Sequence, residues 1–465
     1  MLEENGIPDG PGGGSRPTCP DRRRRFGRRN FLGGAALAGL AAIPITAGTD
    51  RGGRAVAAIP PPLGPQRARG VSGGTYLDVR AFGARGDGKT DDTRAIQKAA
   101  TRLAAQGGKL LFPAGWFVIS SVIDVPIAHA NVTLAGAGPD VTVLVNRQRD
   151  ASIFSIDGNN TYTLSDMTLM GSAAARRGAL LTTRSPYEHI YRCVFSTYYN
   201  GVNGLGNLGV IRDCGWRWPQ SEESNGIIVG GPGGYGYAGG LLVDNAVMYD
   251  VIPSKLKPHS GIHVQSCGAL QIANSNLMGH NYDLLIAPPQ GRVVASVNAI
   301  NTFFDSATVG GNISPQGGAV VRCSFSQCWA SSHSKSGIYI GGSGRIDGIQ
   351  FIGAQLNFNA ESGISINAPA KNITIEGGEG VANGMAAVRV GDDVKGFMIN
   401  HFFGGCGFGA EWGGGPCGNG YGIWIGKGCD NYQVMGCHLL GNKSGGIHDG
   451  SSSSAAKRIV VNNMA

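Results

Sequence analysis

The sequence predicts an all-β fold: a right-handed parallel β-helix, a single-stranded solenoid with a capping helix at its amino end. Three observations predict it. Glycine supplies 78 of 465 residues, without the every-third-residue period of collagen. A short strand that begins at glycine recurs as Gly226-Ile-Ile-Val, Gly261-Ile-His-Val, Gly337-Ile-Tyr-Ile, Gly363-Ile-Ser-Ile, Gly422-Ile-Trp-Ile and Gly446-Ile-His-Asp, with Asp283-Leu-Leu-Ile and Ala387-Val-Arg-Val as variants. Longer alternating strands with a polar kink lie between these copies, as in Leu270-Gln-Ile-Ala-Asn-Ser-Asn-Leu, and no helix-length apolar pattern does.

Each strand alternates with period two, so one face is buried. Parallel strands ordinarily need a crossover helix. Without one, each coil must stack on the coil before it, with equivalent strands ~4.8 Å apart. The copies are spaced about 22 to 35 residues apart, and the double gap between 284 and 338 holds a degenerate copy near Asn312-Ile313-Ser314. Roughly a dozen coils follow from Tyr76 onward. Asn245, Asn274 and Asn276 at the kinks suit left-handed backbone.

Residues 1–57 read as an export signal. Arg22 to Arg25 and Arg28-Arg29 precede an uncharged apolar stretch, Gly33 to Ala47, too short to span a bilayer. Arg28-Arg29-Asn30-Phe31-Leu32 looks like the bacterial twin-arginine signal, and Ala55-Val56-Ala57 gives a small-x-small cleavage pattern. The expected location is periplasmic or secreted. Residues 58–74 read as a linker and 75–465 as the β-helix domain, its capping helix at about 91–106. No later segment is apolar enough to cross a membrane.

The net charge of +8 carries little meaning for partners. Without the 9 basic and 5 acidic residues of 1–58, 30 basic side chains face 26 acidic ones, a net +4. With no basic stripe, nucleic acid is not an expected partner. Cysteine shows no C-x-x-C and no zinc spacing. Cys193, Cys214, Cys323 and Cys437 are read at one inward position of the repeat, where Ala246, Ser275 and Thr302 also stand. Cys406 with Cys417, or Cys429 with Cys437, are candidate disulfides in an oxidising compartment.

In the predicted capping helix, Ala95, Ile96, Ala99, Ala100 and Leu103 form the buried stripe, and Gly107-Gly108 ends it. Thr90 or Asp91 is positioned to cap its start. The run Gly86-Asp87-Gly88-Lys89-Thr90-Asp91-Asp92-Thr93, with Ala95-Ile96-Gln97 and Phe112-Pro113-Ala114-Gly115, resembles the amino-terminal signature of the pectate lyase superfamily, in its rhamnogalacturonase/epimerase-like branch. The resemblance implies a β-helix acting on or binding acidic polysaccharide. Related polygalacturonases use an Asn-Thr-Asp, an Asp-Asp, a His-Gly and an Arg-Ile-Lys in order. This chain has Asp392-Asp393 but no later His-Gly or Arg-Ile-Lys, and Ser224-Asn225-Gly226 lacks the carboxylate of the first motif.

Site residues are therefore sought by geometry. In Gly-Ile-x-Val the residue x points outward, which gives one strip of Ile228, His263, Leu285, Tyr339, Ser365, Arg389, Trp424 and His448. Aromatic rings pack on pyranose faces and arginine pairs with carboxylates. A first candidate catalytic cluster joins Glu222, Glu223, His263 and Asp283 with His280, carboxylates at glycosidase-like spacing. A second joins Tyr339, Glu361, Arg389, Asp392 and Asp393. Its arginine or tyrosine would serve as a lyase base, and the aspartates would hold Ca²⁺ if the enzyme is a lyase; no other cofactor is expected. His280, Glu361, Trp424 and His448 are assigned to substrate binding. The expected function is cleavage of glycosidic bonds in a polysaccharide, a uronate-containing (pectin-like) one, by hydrolysis or β-elimination. A non-catalytic polysaccharide-binding or tailspike-like protein is the alternative.

Overall fold

The computed structural model describes residues 76–127, 131–148, 152–173, 177–231, 238–249, 257–406 and 418–465. The export-signal, cleavage-site and linker assignments lie outside these residues, except that the first strand begins at Tyr76. The chain is a parallel β-solenoid of about 13 turns. One 13-stranded sheet runs from Ile123–Pro126 to Gly445–Asp449, and a second sheet of 25 strands carries the longer kinked strands. Every pairing between these strands is parallel, as between Ile227 and Ile262, Ile262 and Leu284, and Ile364 and Val388. No helix among the described residues is long and apolar enough to cross a membrane.

The recurrent glycine has a steric cause. A Cβ on Gly261 would stand 2.7 Å from the Asp283 carbonyl oxygen, and one on Gly363 2.5 Å from that of Ala387. Each coil thus presses its backbone on the next at this point. The isoleucine after it faces inward and is fully buried, as are Ile227, Ile262, Ile364 and Ile423. In the second sheet, Phe325 stacks on Phe351 at 5.0 Å and Phe397 on Tyr432 at 4.7 Å. Like side chains stack because neighbouring coils hold them in register.

The kinks are single residues in left-handed backbone, among them Asn245 and Asn274 (both φ 50°) and Asn301 (φ 46°). Asn276 is not one of them. It opens the strand Asn276–Met278, one residue beyond the turn. The residue just after a kink is inward and on many coils small, as at Cys193, Cys214, Ala246, Ser275, Thr302, Cys328 and Cys437, though Met167 and Phe402 are large. Cys328 holds the place assigned to Cys323, which instead follows a second left-handed residue, Arg322, and pairs with Ile349. Cys429 and Cys437 are both free and buried, so they are not a disulfide. Cys406 is disulfide-bonded; Cys417 lies outside the described residues.

Helix α1, Thr93–Gln106, takes the position one coil before the first strand of the 13-stranded sheet and packs on Ile123–Pro126. Its Ile96, Ala99, Ala100 and Leu103 are fully buried, and the Gly107 N–H closes it on Leu103. Of the two cap candidates, Asp91 meets the helix start and Thr90 does not. Thr90 spends its hydroxyl on Asp87, Asp91 accepts from the Thr93 N–H at 3.0 Å, and the buried Asp92 carboxylate accepts the N–H groups of Arg85 and Gly86. The signature aspartates hold the glycine loop against the helix.

A column of asparagines runs through one turn of the stack. Asn359, Asn383 and Asn419 each donate a side-chain N–H to the next, ending on Asn442, at 2.9 to 3.0 Å. These amides satisfy turn groups that would otherwise be unpaired in the interior.

One core group opposes the fold. Glu188 is buried and accepts the Gly206 N–H, and burial raises its pKa from 4.5 to about 8. The unfolded chain releases this proton above 4.5 while the folded chain keeps it, so stability falls as pH rises from 4.5 towards 8 and then levels. Glu188→Gln should reduce that fall. Urea midpoints at pH 5 and pH 8 should lie closer together in the variant than in the parent; equal separation would refute the assignment.

Candidate functional site

The outward residues of the 13-stranded sheet lie in one unbroken register. Ile228, His263, Leu285, Asn312, Tyr339, Ser365, Arg389, Trp424 and His448 are paired coil to coil. This is the strip read from the sequence, and Asn312 fills its degenerate step.

A cleft of about 420 Å³ opens on this strip. Leu285, Ala287, Asn312 and Ser314 form its floor, and His259, His263, Gln265, Tyr282, Pro289 and Gln316 its walls. The His259 and His263 rings lie 5.4 Å apart, and Tyr282 meets His259 edge to face at 5.7 Å. The Asn312 carboxamide oxygen is buried without a hydrogen-bond partner. An orphaned acceptor in a cleft marks a place where a ligand donor fits.

The tautomer of His259 follows from its neighbours. The Asn225 amide nitrogen donates to Asn200 Oδ1 (3.0 Å) and to the Glu223 carbonyl (2.9 Å), which turns its oxygen toward His259. That oxygen lies 3.0 Å from His259 Nδ1 and also accepts the Ser260 hydroxyl. Nδ1 therefore carries the proton, and Nε2 keeps a free lone pair. Burial lowers the His259 pKa against the pull of the nearby Glu223 charge. Burial, with His259 as a lesser cause, lowers that of His263 to about 4. Both imidazoles are neutral near pH 7. Glu223 accepts a hydrogen bond from the Tyr199 hydroxyl at 2.5 Å, which with burial raises that phenol to about 12.

The remaining sequence-chosen residues divide. Glu222 and Glu223 lie exposed on the turn before Ile228. His263 lines the cleft. Asp283 and His280 were expected on the strip and are not there: both are buried in the wall, with His280 Nδ1 2.9 Å from Asp283 Oδ1. Asp283 stands at the place of the recurrent glycine, where the neighbouring coil presses on the backbone and the side chain is covered, so simple alternation misplaces it. Burial pushes Asp283 up and His280 down to about 3, which favours a neutral pair over an ion pair.

Tyr339, Arg389, Trp424 and His448 sit on later coils, and Arg389 is five coils from His263. Glu361 is exposed and accepts from Ser336 at 3.3 Å. Asp392 accepts the Lys427 N–H at 2.9 Å, and Asp393 is a left-handed turn residue. No group of three or more His, Cys, Asp or Glu side chains that could hold a metal ion occurs among the described residues. Sequence reasoning missed His259, Tyr282, Asn312 and Asn225. The first two stand where a turn enters a strand, a position that period-two alternation does not describe.

Residues 76–187 match the family described as rhamnogalacturonase A/epimerase, pectate lyase-like. The β-helix is pectate lyase-like. The mannuronan C-5 epimerase AlgE6 A-module of Azotobacter vinelandii shares the fold, with a TM-score of 0.54 and 17% identity over 83% of this chain and 98% of that one. Two curated relatives match shorter stretches. Alginate lyase 7 of Azotobacter vinelandii is 36% identical over 107 residues, 20% of this chain and 12% of its own length. The pre-neck appendage protein of Bacillus phage B103 is 38% identical over 103 residues, 21% of this chain and 11% of its own. The chain thus spans about a tenth of these relatives' lengths.

The buried histidines set an acid limit on stability. His263 and His333 are lowered to about 4 and His280 to about 3, each mainly by burial. Below 6.5 the unfolded chain binds protons that the folded chain refuses, so stability falls from pH 6.5 down to about 4 and further towards 3. Urea midpoints should drop across that window, and His263→Gln should lessen the drop. An unchanged profile in the variant would show that His263 titrates normally.

Proposed function

We propose that this protein is an exported enzyme that cleaves a uronate-containing polysaccharide by β-elimination, with His259 as the base. The observation that carries the reading is a cleft with a neutral, tautomer-fixed imidazole, a phenol beside it and no carboxylate in its lining. The family match and the alginate lyase relative support polysaccharide as substrate. The Arg28-Arg29 signal supports export.

The steps follow from the groups present. His259 Nε2 takes the C5 proton of a uronate residue. The C5–H electron pair forms the C4–C5 double bond as the C4–O bond breaks, and the departing oxygen takes a proton from the Tyr282 hydroxyl. The carboxylate beside C5 must be held while negative charge builds on it. Gln265 and Gln316 on the walls bring amide donors to that group, and the orphaned Asn312 oxygen accepts a sugar hydroxyl. The usual hydrolytic mechanism places two carboxylates on either side of the bond. With Asp283 sealed in the wall, the cleft offers no such pair.

The test is incubation with polyuronates of several kinds, followed by ultraviolet absorbance of unsaturated ends and by reducing-end assay. Unsaturated products that disappear in His259→Gln support the reading. Asn225→Ala should lower kcat by about ten- to a hundredfold by freeing the tautomer. Reducing ends without unsaturation would establish hydrolysis instead. Binding without turnover would establish the non-catalytic alternative.

A further inference from the structure

Five coils beyond His263 the same strip carries a cation, Arg389. Arg192, Arg212, Arg217, Arg345 and Arg458 are each in an ion pair. Among the described residues, Arg389 has no carboxylate within ion-pair distance. It is nonetheless held in place. Its Nη1 donates to Asn367 Oδ1 at 3.1 Å and approaches Ser365 Oγ at 3.4 Å. The Asn367 amide nitrogen donates to the Ile340 carbonyl at 3.2 Å, which fixes its oxygen toward the guanidinium. On the next coil Trp424 lies under Arg389, with 5.1 Å from Cζ to the ring centroid, and the exposed His448 ring stacks on Trp424 at 5.5 Å and 13°.

Only neutral groups orient this arginine, so its charge is not cancelled, and the remaining guanidinium donors are available to a planar anion. Trp424 is held between Arg389 and His448, so this column presents ring edges, not a free Trp424 face, beside the guanidinium. Coils repeat at about 4.8 Å, which puts Arg389 about 24 Å from His263 along the strip. That spacing per coil is close to the length of one pyranose unit, so a chain reacting at His259 would reach Arg389 some five units away.

We propose that Arg389, with Trp424 and His448, forms a distal subsite that grips an anionic group, carboxylate or sulfate ester, on a saccharide chain lying along the solenoid. The subsite rests on the reading of the cleft as a polysaccharide site, but it binds whether or not the chemistry there is elimination. A second anchor so far from the reacting sugar makes affinity depend on chain length.

Size-defined uronate oligomers test this, using the full chain in the His259→Gln background and titration calorimetry. The parent should bind octamers about tenfold more tightly than trimers, and Arg389→Ala should remove that difference. Arg389→Lys keeps the charge without the fork and should restore only part of it. Neutral and sulfated oligomers of equal length form the other arms. Preference for uronate assigns the anion as carboxylate, and preference for the sulfated chain assigns sulfate. Equal binding of octamer and trimer by the parent, or an Arg389→Ala octamer affinity like the parent's, would overturn the subsite. Absence of turnover by the protein with His259 intact, with octamer binding retained, would overturn the catalytic reading alone.

Discussion

The molecule depends on one constraint: each coil hydrogen-bonds in parallel register to the next, and nothing but the neighbouring coil stabilises it. In-register stacking forces like onto like. It puts isoleucine over isoleucine in the core, carries asparagine over asparagine in a turn, and allows only glycine at most points where backbone presses on backbone. The amino-terminal coil has no predecessor, and α1 supplies the missing surface there. The signature aspartates act on that junction. Their carboxylates are occupied by backbone and hydroxyl groups of the glycine loop and helix start, which gives a structural reason for the motif without assigning it chemistry.

The same register builds the functional strip, and departures from the repeat make it a site. Gly311 replaces the usual inward isoleucine, and small residues at Ala287 and Ser314 lower the floor beside Asn312. The turn before Ser260 brings His259 over the strand beside His263. Partial burial then does the electrostatic work. It keeps the imidazoles uncharged in a wall that is still open to a ligand, the state a proton acceptor needs near neutral pH.

How far the sequence reveals this depends on which physical rule places a residue. The outward row was legible from Ile228 to His448 at every step but Asn312, because period two and a repeated Gly-Ile anchor fix the register, and the coil of Asn312 carries Gly311 where that isoleucine stands. The buried stripe of α1 was legible from its 3.6 period. Asp283 was not, because the neighbouring coil covers the side chain at the place of the recurrent glycine. Cys323 was confused with Cys328 because two left-handed residues, Arg322 and Gln327, stand five positions apart and each is followed by cysteine. His259, Tyr282 and Asn225 were missed for a related reason. Their roles arise between coils, through contacts some 23 to 35 residues apart in the chain, such as Tyr282 on His259 and His259 on Asn225.

A solenoid of this kind separates its functions unusually well. Along the strip each residue pairs only with those of the adjacent coils, so a change at Arg389 must pass through the coils of Ser365, Tyr339, Asn312 and Leu285 before it reaches His263. Those coils are rigid in register and share no titrating network along the strip. Effects of substitutions at the two ends should therefore add, as they do for sites far apart without common partners. A single saccharide chain spanning both ends is the one agent that would couple them. Non-additivity that appears only with long oligomers would be the signature of that chain rather than of the protein.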